Sequence, residues 1–147
     1  MSPPKRLDLT PDDEVLDVAC GSGAFLRKHA SHVRQVAGLD HSDDLIAIAK
    51  RENHERVAAG TAEFVVGDAT VLPWDDDEFS VVTCNSIDCF ATKTRPALEE
   101  MYRVLRPGGR ILVGDDHRQD MEEIGFTEVA VEKMIWGELT SATKQAA

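Results

Sequence analysis

An α/β domain built on a mostly parallel sheet is what this sequence predicts, and three observations predict it. Short apolar, β-branched runs alternate with segments of helical period along the chain. The first run leads directly into a glycine turn, Gly21-Ser22-Gly23. Successive runs end on small or polar groups: Gly21 and Gly23, then Asp40, Asp68, Asn85 and Asp115. In open parallel sheets, ligands bind outside the carboxyl ends of the strands, where the strand order reverses.

The elements follow in order. Val15-Leu16-Asp17-Val18 reads as the first strand, followed by a short helix over 24–30. Gln35-Val36-Ala37-Gly38-Leu39 reads as the second and ends at Asp40. Ser42 then stands as an N-cap, with Asp43 and Asp44 in the first turn and Lys50 and Arg51 in the last, the charge order that suits the helix dipole. Leu45, Ile46 and Ala49 supply the apolar face of that helix. The third strand, Phe64-Val65-Val66, stops at Gly67-Asp68, and a loop rich in Pro and Asp covers 69–78. Phe79-Ser80-Val81-Val82-Thr83-Cys84 reads as the fourth strand.

Pro96 opens the clearest helix, in which Leu98, Met101, Tyr102 and Leu105 recur at helical spacing. Arg106-Pro107-Gly108-Gly109 should end it, because Pro cannot continue a helix and Gly permits the reversal. Arg110-Ile111-Leu112-Val113 is expected as the fifth strand. A short helix over 119–124 stops at Gly125, and 127–133 with 138–144 read as a terminal hairpin around Trp136-Gly137. No repeat or low-complexity linker divides the 147 residues, so a single domain over 1–147 is expected, with 1–12 as a short extension.

Composition narrows the function. The chain is 42% hydrophobic and 29% charged, as ordinary globular proteins are. Its formal charge is −11, and no basic stripe is present to displace counterions from a phosphate backbone, so no nucleic-acid partner is expected. No apolar run is long enough to cross a bilayer, and no apolar secretion segment follows the first residues, so no membrane partner and a cytoplasmic location are expected. The three cysteines, Cys20, Cys84 and Cys89, form no Cys-x-x-Cys pair and read as structural thiols.

The glycine turn lets backbone approach a ligand closely and opens a helix whose free N–H groups face the crevice. A dinucleotide fingerprint would place a third glycine where Leu26 stands, and a Walker phosphate loop is excluded because no Gly-Lys-Ser/Thr follows. Asp40, at the end of the second strand, stands where a carboxylate can accept both hydroxyls of a ribose, with no Arg or Lys beside it for a 2′-phosphate, or reads as a helix cap. Asp68, at the end of the third, reads either as an acceptor for an exocyclic amine such as adenine's or as a turn residue.

Together these segments resemble the class I S-adenosylmethionine-dependent methyltransferases. Val15-Leu16-Asp17-Val18-Ala19-Cys20-Gly21-Ser22-Gly23 is similar to the first motif of that family; Asp40, Gly67-Asp68-Ala69 and Leu72-Pro73-Trp74 with Phe79 follow in its order. Met101-Tyr102-Arg103-Val104-Leu105-Arg106-Pro107-Gly108-Gly109 resembles the segment before the fifth strand in the ubiquinone/menaquinone-biosynthesis branch. The resemblance covers roughly residues 10–144. It implies a Rossmann-like, doubly wound, mostly parallel seven-stranded sheet with an antiparallel last strand. It implies S-adenosylmethionine as cofactor, S-adenosylhomocysteine as product and a small-molecule methyl acceptor.

At matching positions, Asp17 and the backbone of Ala19, Cys20, Gly21 and Gly23 would hold the methionyl part. Asp40 would bind the ribose with His41 against the adenine, Asp68 and the Ala69 backbone would read the adenine edge, and Asn85 would lie beside the sulfonium. An acidic, Lys-poor crevice suits a cationic, phosphate-free cofactor. For a general base the candidates are Asp88, Asp115, Asp116 and His117, with His117 and Asp116 preferred, the former because histidine ordinarily titrates near neutrality; His117 also reads as a solvated-loop or helix-start residue. Asn85, Asp115 and Asp116 also invite comparison with metal-assisted catechol-type methyltransferases, but no metal is expected.

The sequence departs from the family in three places. About a dozen residues precede the first strand, the stretch from Asp115 to Gly125 is short, and Ile87-Asp88-Cys89-Phe90 replaces the paired histidines often found after the fourth strand. These departures leave the acceptor pocket unfinished and suggest closure by a second copy or a partner subunit. The competing readings are a non-catalytic module that binds the cofactor or its product, and a different nucleotide-binding protein such as a reductase.

Overall fold

The structure, a computed structural model, describes residues 7–85 and 93–147. In chain order its elements are β1 (Glu14–Val18), α1 (Ala24–His29), β2 (Gln35–Asp40), α2 (Asp43–Glu52), α3 (His54–Ala58), β3 (Ala62–Val66), β4 (Phe79–Cys84), α4 (Thr94–Val104), β5 (Leu105–Gly114), α5 (Arg118–Ile124), β6 (Thr127–Met134) and β7 (Gly137–Thr143).

The strands form one seven-stranded sheet in the order β3-β2-β1-β4-β5-β7-β6. Pairs β1–β2, β2–β3, β1–β4 and β4–β5 are parallel. β7 is antiparallel to both β5 and β6 and therefore runs against all the others. The chain builds outward from β1 to β3 and then returns to lay β4 on the other flank of β1. The order reverses between β1 and β4, the place where such sheets bind ligands.

Strand alternation sends neighbouring residues to opposite faces. Leu16, Val18, Leu39, Val82 and Ile111 join Leu98, Met101 and Met121 of α4 and α5 in one core cluster. Val15, Val36, Val81 and Leu112 join Leu26 of α1 and Ile46 and Ala49 of α2 in the other. By the same alternation Asp17, Gly38 and Thr83 belong to the second face. Burial on both faces explains why the central strands read as almost continuous apolar runs.

The expected α2 cap is present: Leu45 N–H donates to Ser42 Oγ at 3.2 Å. Three local outcomes differ from expectation. α4 begins at Thr94, so Pro96 sits in the first turn, where its missing N–H costs nothing. The Arg106-Pro107-Gly108-Gly109 segment lies within β5, which starts at Leu105 immediately after α4. Leu105 pairs with Phe79, the register shifts before Val81 meets Arg110, and Gly108 takes up the irregularity with φ +83. The third, α3, has no buried residue and so carries no apolar period to read. Among the described residues no helix is long and apolar enough to cross a membrane.

Candidate functional site

Parallel alignment brings the carboxyl ends of β3, β2, β1, β4 and β5 to one edge. The strand ends are stitched together by backbone: Cys20 N–H donates to Leu39 O and Gly67 N–H to Asp40 O, each at 3.0 Å. Asp40 is buried and ties the site together, accepting from Gly21 N–H through Oδ2 and from Ser42 N–H through Oδ1, each at 3.0 Å. One carboxylate thus joins the glycine turn after β1 to the start of α2. His41 stands largely exposed beside it, with Nδ1 3.6 Å from Asp40 Oδ1.

The turn itself needs glycine. Gly21 and Gly23 have φ of +55 and +77, and a Cβ on Gly23 would lie 2.8 Å from Asn53 Nδ2. Ala19, just before the turn, takes φ +60 without that freedom, and Asp115 does the same at the end of β5 with φ +69. Strained backbone of this kind persists where surrounding structure holds it, often at functional edges.

Asp17 is 2% exposed beneath this turn. Thr83 Oγ1 donates to its Oδ1 at 2.7 Å. Burial pushes the Asp17 carboxyl up to about 7, the Thr83 hydrogen bond opposes that rise, and the nearby Asp40 charge adds to it. Cys20 is buried as well, and burial with the Asp17 and Asp40 charges pushes its thiol up to about 12, making it an inert wall of the turn.

Asp68 is exposed at the end of β3. Its Oδ1 accepts from Thr70 N–H and Thr70 Oγ1, each at 2.8 Å, which holds its carboxyl below the usual range. Ala69 beside it is fully buried, which anchors the backbone there. Asn85 is exposed at the end of β4, and a Cβ on Gly114 would lie 2.8 Å from Asn85 O, so the ends of β4 and β5 meet only because residue 114 is glycine.

The base candidates fare differently. Asp88 lies outside the described residues. Asp115 donates its N–H to Glu138 O and accepts Thr140 Oγ1 through its carbonyl. Asp116 Oδ1 accepts Arg118 N–H at the start of α5. His117 N–H donates to Thr140 Oγ1, while its Nε2 is buried and has no hydrogen-bond partner. Among the described residues no group of three or more His, Cys, Asp or Glu is arranged to hold a metal ion.

The sequence reading missed Thr83, Gly38 and Gly114. Thr83 hides because a threonine inside Val-Val-Thr-Cys reads simply as a strand former. Gly38 leaves the space that the Cys20 sulfur fills, 2.8 Å from where a Cβ would stand.

A family model described as a methyltransferase domain matches residues 15–109. The chain is 39% identical over 106 residues to the ubiquinone/menaquinone biosynthesis C-methyltransferase UbiE of Ectopseudomonas mendocina, a match covering 70% of this chain and 41% of that protein. It is 36% identical over 121 residues to the chloroplastic 2-phytyl-1,4-beta-naphthoquinone methyltransferase of Arabidopsis thaliana, covering 79% and 46%. The chain thus spans less than half the length of these curated relatives. Among solved structures it is similar to Haemonchus contortus phosphoethanolamine N-methyltransferase 2 in complex with phosphomonomethylethanolamine and S-adenosylhomocysteine. That likeness has a TM-score of 0.82 at 19% identity, covers 96% of this chain and 51% of the other, and is one of fold.

Proposed function

The chain belongs to the class I S-adenosylmethionine-dependent methyltransferases, and from that membership we propose that it transfers a methyl group from S-adenosylmethionine to a small quinone-type acceptor. The observation that carries this reading is the Asp40 carboxylate held by Gly21 N–H at 3.0 Å, which brings the glycine turn and the ribose-binding acid to one point. The quinone named in both curated relatives supports the acceptor class.

Asp17 and the Ala19–Gly23 backbone receive the methionyl part, with Cys20, Gly21 and Gly23 shaping the turn. Asp40 takes the ribose hydroxyls: each of its oxygens accepts one backbone N–H and keeps a lone pair for a hydroxyl. His41 lies against the adenine, Asp68 and the Ala69 backbone read its edge, and Asn85 faces the sulfonium. When bound, the cofactor supplies an already activated methyl group. The protein's share is alignment, worth about 7–11 kcal/mol in well-oriented reactions. A base adds roughly 10²–10⁴-fold where the acceptor must lose a proton. His117 and Asp116 are the candidates for it at the end of β5, the Nε2 of His117 being buried without a hydrogen-bond partner and one Asp116 oxygen accepting Arg118 N–H.

The acceptor side is the β4–β5–β7–β6 end of the edge. There the β6–β7 turn carries Ile135 and Trp136, both exposed, which offer apolar surface to a quinone ring. A second copy or a partner subunit completes this side in the same reading. A cytoplasmic location accords with the burial of Cys20 and Cys84 as structural thiols in the core.

Calorimetric titration tests the cofactor. S-adenosylhomocysteine should bind, and tight nicotinamide-nucleotide binding without it would reject the assignment. Transfer of labelled methyl to a panel of naphthoquinone and benzoquinone acceptors tests the reaction. Trp136→Ala should raise the acceptor KM several-fold and leave cofactor affinity unchanged. Cofactor binding with no transfer to any acceptor would instead assign a non-catalytic module.

A further inference from the structure

Thr83 has no exposed surface, yet it carries a hydroxyl into a strand interior where valine would fill nearly the same volume. A buried hydroxyl is costly unless it is hydrogen-bonded. Its bond goes to Asp17 Oδ1 at 2.7 Å, one of the shortest side-chain contacts in the sheet. The register explains why this residue was available. Asp17 pairs with Gly38 on the β2 flank and with Thr83 on the β4 flank. Gly38 has no side chain, and the space above it is taken by the Cys20 sulfur. Of the two strand neighbours, Thr83 alone offers Asp17 a side-chain donor.

We propose that Thr83 is a positioning residue for the cofactor site, its hydroxyl fixing the Asp17 carboxylate beneath the Gly21–Gly23 turn so that the acid meets the cationic end of the methyl donor. This rests on the function proposed above and adds a residue to it. The groups facing Asp17 are Asp40 from β2, Cys20 from the turn and Thr83 from β4, with exposed His41 beyond Asp40. Burial holds the Asp17 carboxyl up at about 7 against the pull of the Thr83 hydroxyl. A cation binds the ionised acid, so affinity for S-adenosylmethionine rises as pH rises through that value. Removing the hydroxyl takes away the one interaction from β4 that favours the charged form and frees the carboxylate to turn.

The test is calorimetric titration of S-adenosylmethionine from pH 5.5 to 9 with the wild type, Thr83→Val, Thr83→Ser and Asp17→Asn. The wild type should gain affinity with a midpoint near neutrality. Thr83→Val should move that midpoint upward and bind roughly tenfold more weakly at pH 7, from loss of one charge-assisted hydrogen bond, while recovering toward wild type at the alkaline end. Thr83→Ser keeps the hydroxyl without the methyl group and should retain the wild-type midpoint, separating hydrogen bonding from packing. Asp17→Asn should abolish the step, which assigns it to Asp17 rather than to His41. A Thr83→Val midpoint equal to wild type, or a wild-type affinity with no pH step, overturns the proposal while leaving the methyltransferase reading intact. A wild type that binds no S-adenosylmethionine at any pH removes both.

Discussion

At Asp40 a single side chain ties the glycine turn to the start of α2, because its two oxygens hold Gly21 N–H and Ser42 N–H, and the lone pairs that remain are the ones the proposed site gives to a ligand. Asp40→Ala should weaken S-adenosylhomocysteine binding by about 1–3 kcal/mol, the value of charge-assisted hydrogen bonds; an unchanged calorimetric Kd would remove Asp40 from the site. Asp17 makes a different prediction, about stability without ligand. Its carboxyl stands at about 7 in the folded chain against an ordinary 3.8, so between those values the folded state holds the proton that the unfolded state has lost. Its contribution is therefore greatest in acid and declines as pH rises from about 4 to about 7, by a few kcal/mol at most. Urea unfolding of wild type and Asp17→Asn at pH 5 and pH 8 measures this. The wild type should lose ground to the variant at the higher pH, and an equal difference at both would contradict it. At this scale Asp40, Gly21 and Gly23 were legible in the sequence as members of an ordered set of glycines and acids ending successive apolar runs. Thr83 was not, since only the register reveals which carboxylate lies opposite it.

Arg103 of α4 shows how whole elements hold the site residues still. Its guanidinium donates to Leu72 O and Trp74 O, and pairs with Glu100 and Asp76, so it staples the loop after β3 to the helix. Glu100 completes the clasp by accepting Leu72 N–H at 2.8 Å, and the Arg103 guanidinium holds its carboxyl below the usual range. Asp68 and Ala69 sit at the start of that loop. Arg103→Met should cost about 2–3 kcal/mol of stability, the sum of a few modest hydrogen bonds, and should also weaken adenosyl binding as the loop loosens. Thermal melting and calorimetry check the two effects; lost stability with full affinity would show that the loop's start is held independently. The helix α2 was readable because its apolar face repeats and its ends carry a cap and the favourable charge order, and α4 because its apolar face repeats. The helix α3 and the early start of β5 were not. In α3 nothing is buried to leave a pattern, and at Leu105 pairing with Phe79 overrides the breaker signal of Pro107-Gly108-Gly109.

For the whole molecule, alternating strands and helices predict a parallel sheet, but nothing in periodicity says which strand lies beside which. The seven strands and the reversal of the last came within reach through the resemblance of the motifs, whereas the order β3-β2-β1-β4-β5-β7-β6 is read from the structure alone. Net charge, by contrast, is legible at once and acts at this scale. With 27 acidic against 16 basic side chains the molecule carries −11, and its field favours a cation over a neutral ligand of the same shape. S-adenosylmethionine and S-adenosylhomocysteine form such a pair, since loss of the methyl group removes the sulfonium charge and little else. In the proposed site, short-range contacts with Asp40, Asp68 and the glycine turn would be nearly common to both, so they would cancel in the ratio of the two dissociation constants. What remains is the charge term, and salt acts on it: the screening length falls from about 10 Å at 0.1 M to about 3 Å at 1 M. Raising the salt over that range should therefore weaken S-adenosylmethionine relative to S-adenosylhomocysteine by roughly two- to fivefold, on the Coulomb energies expected across a wet protein surface. Competitive titrations at the two salt concentrations measure the ratio directly. A ratio that does not move would mean that the donor's charge is met only by groups in contact with it, and that the acidity of the chain serves solubility alone.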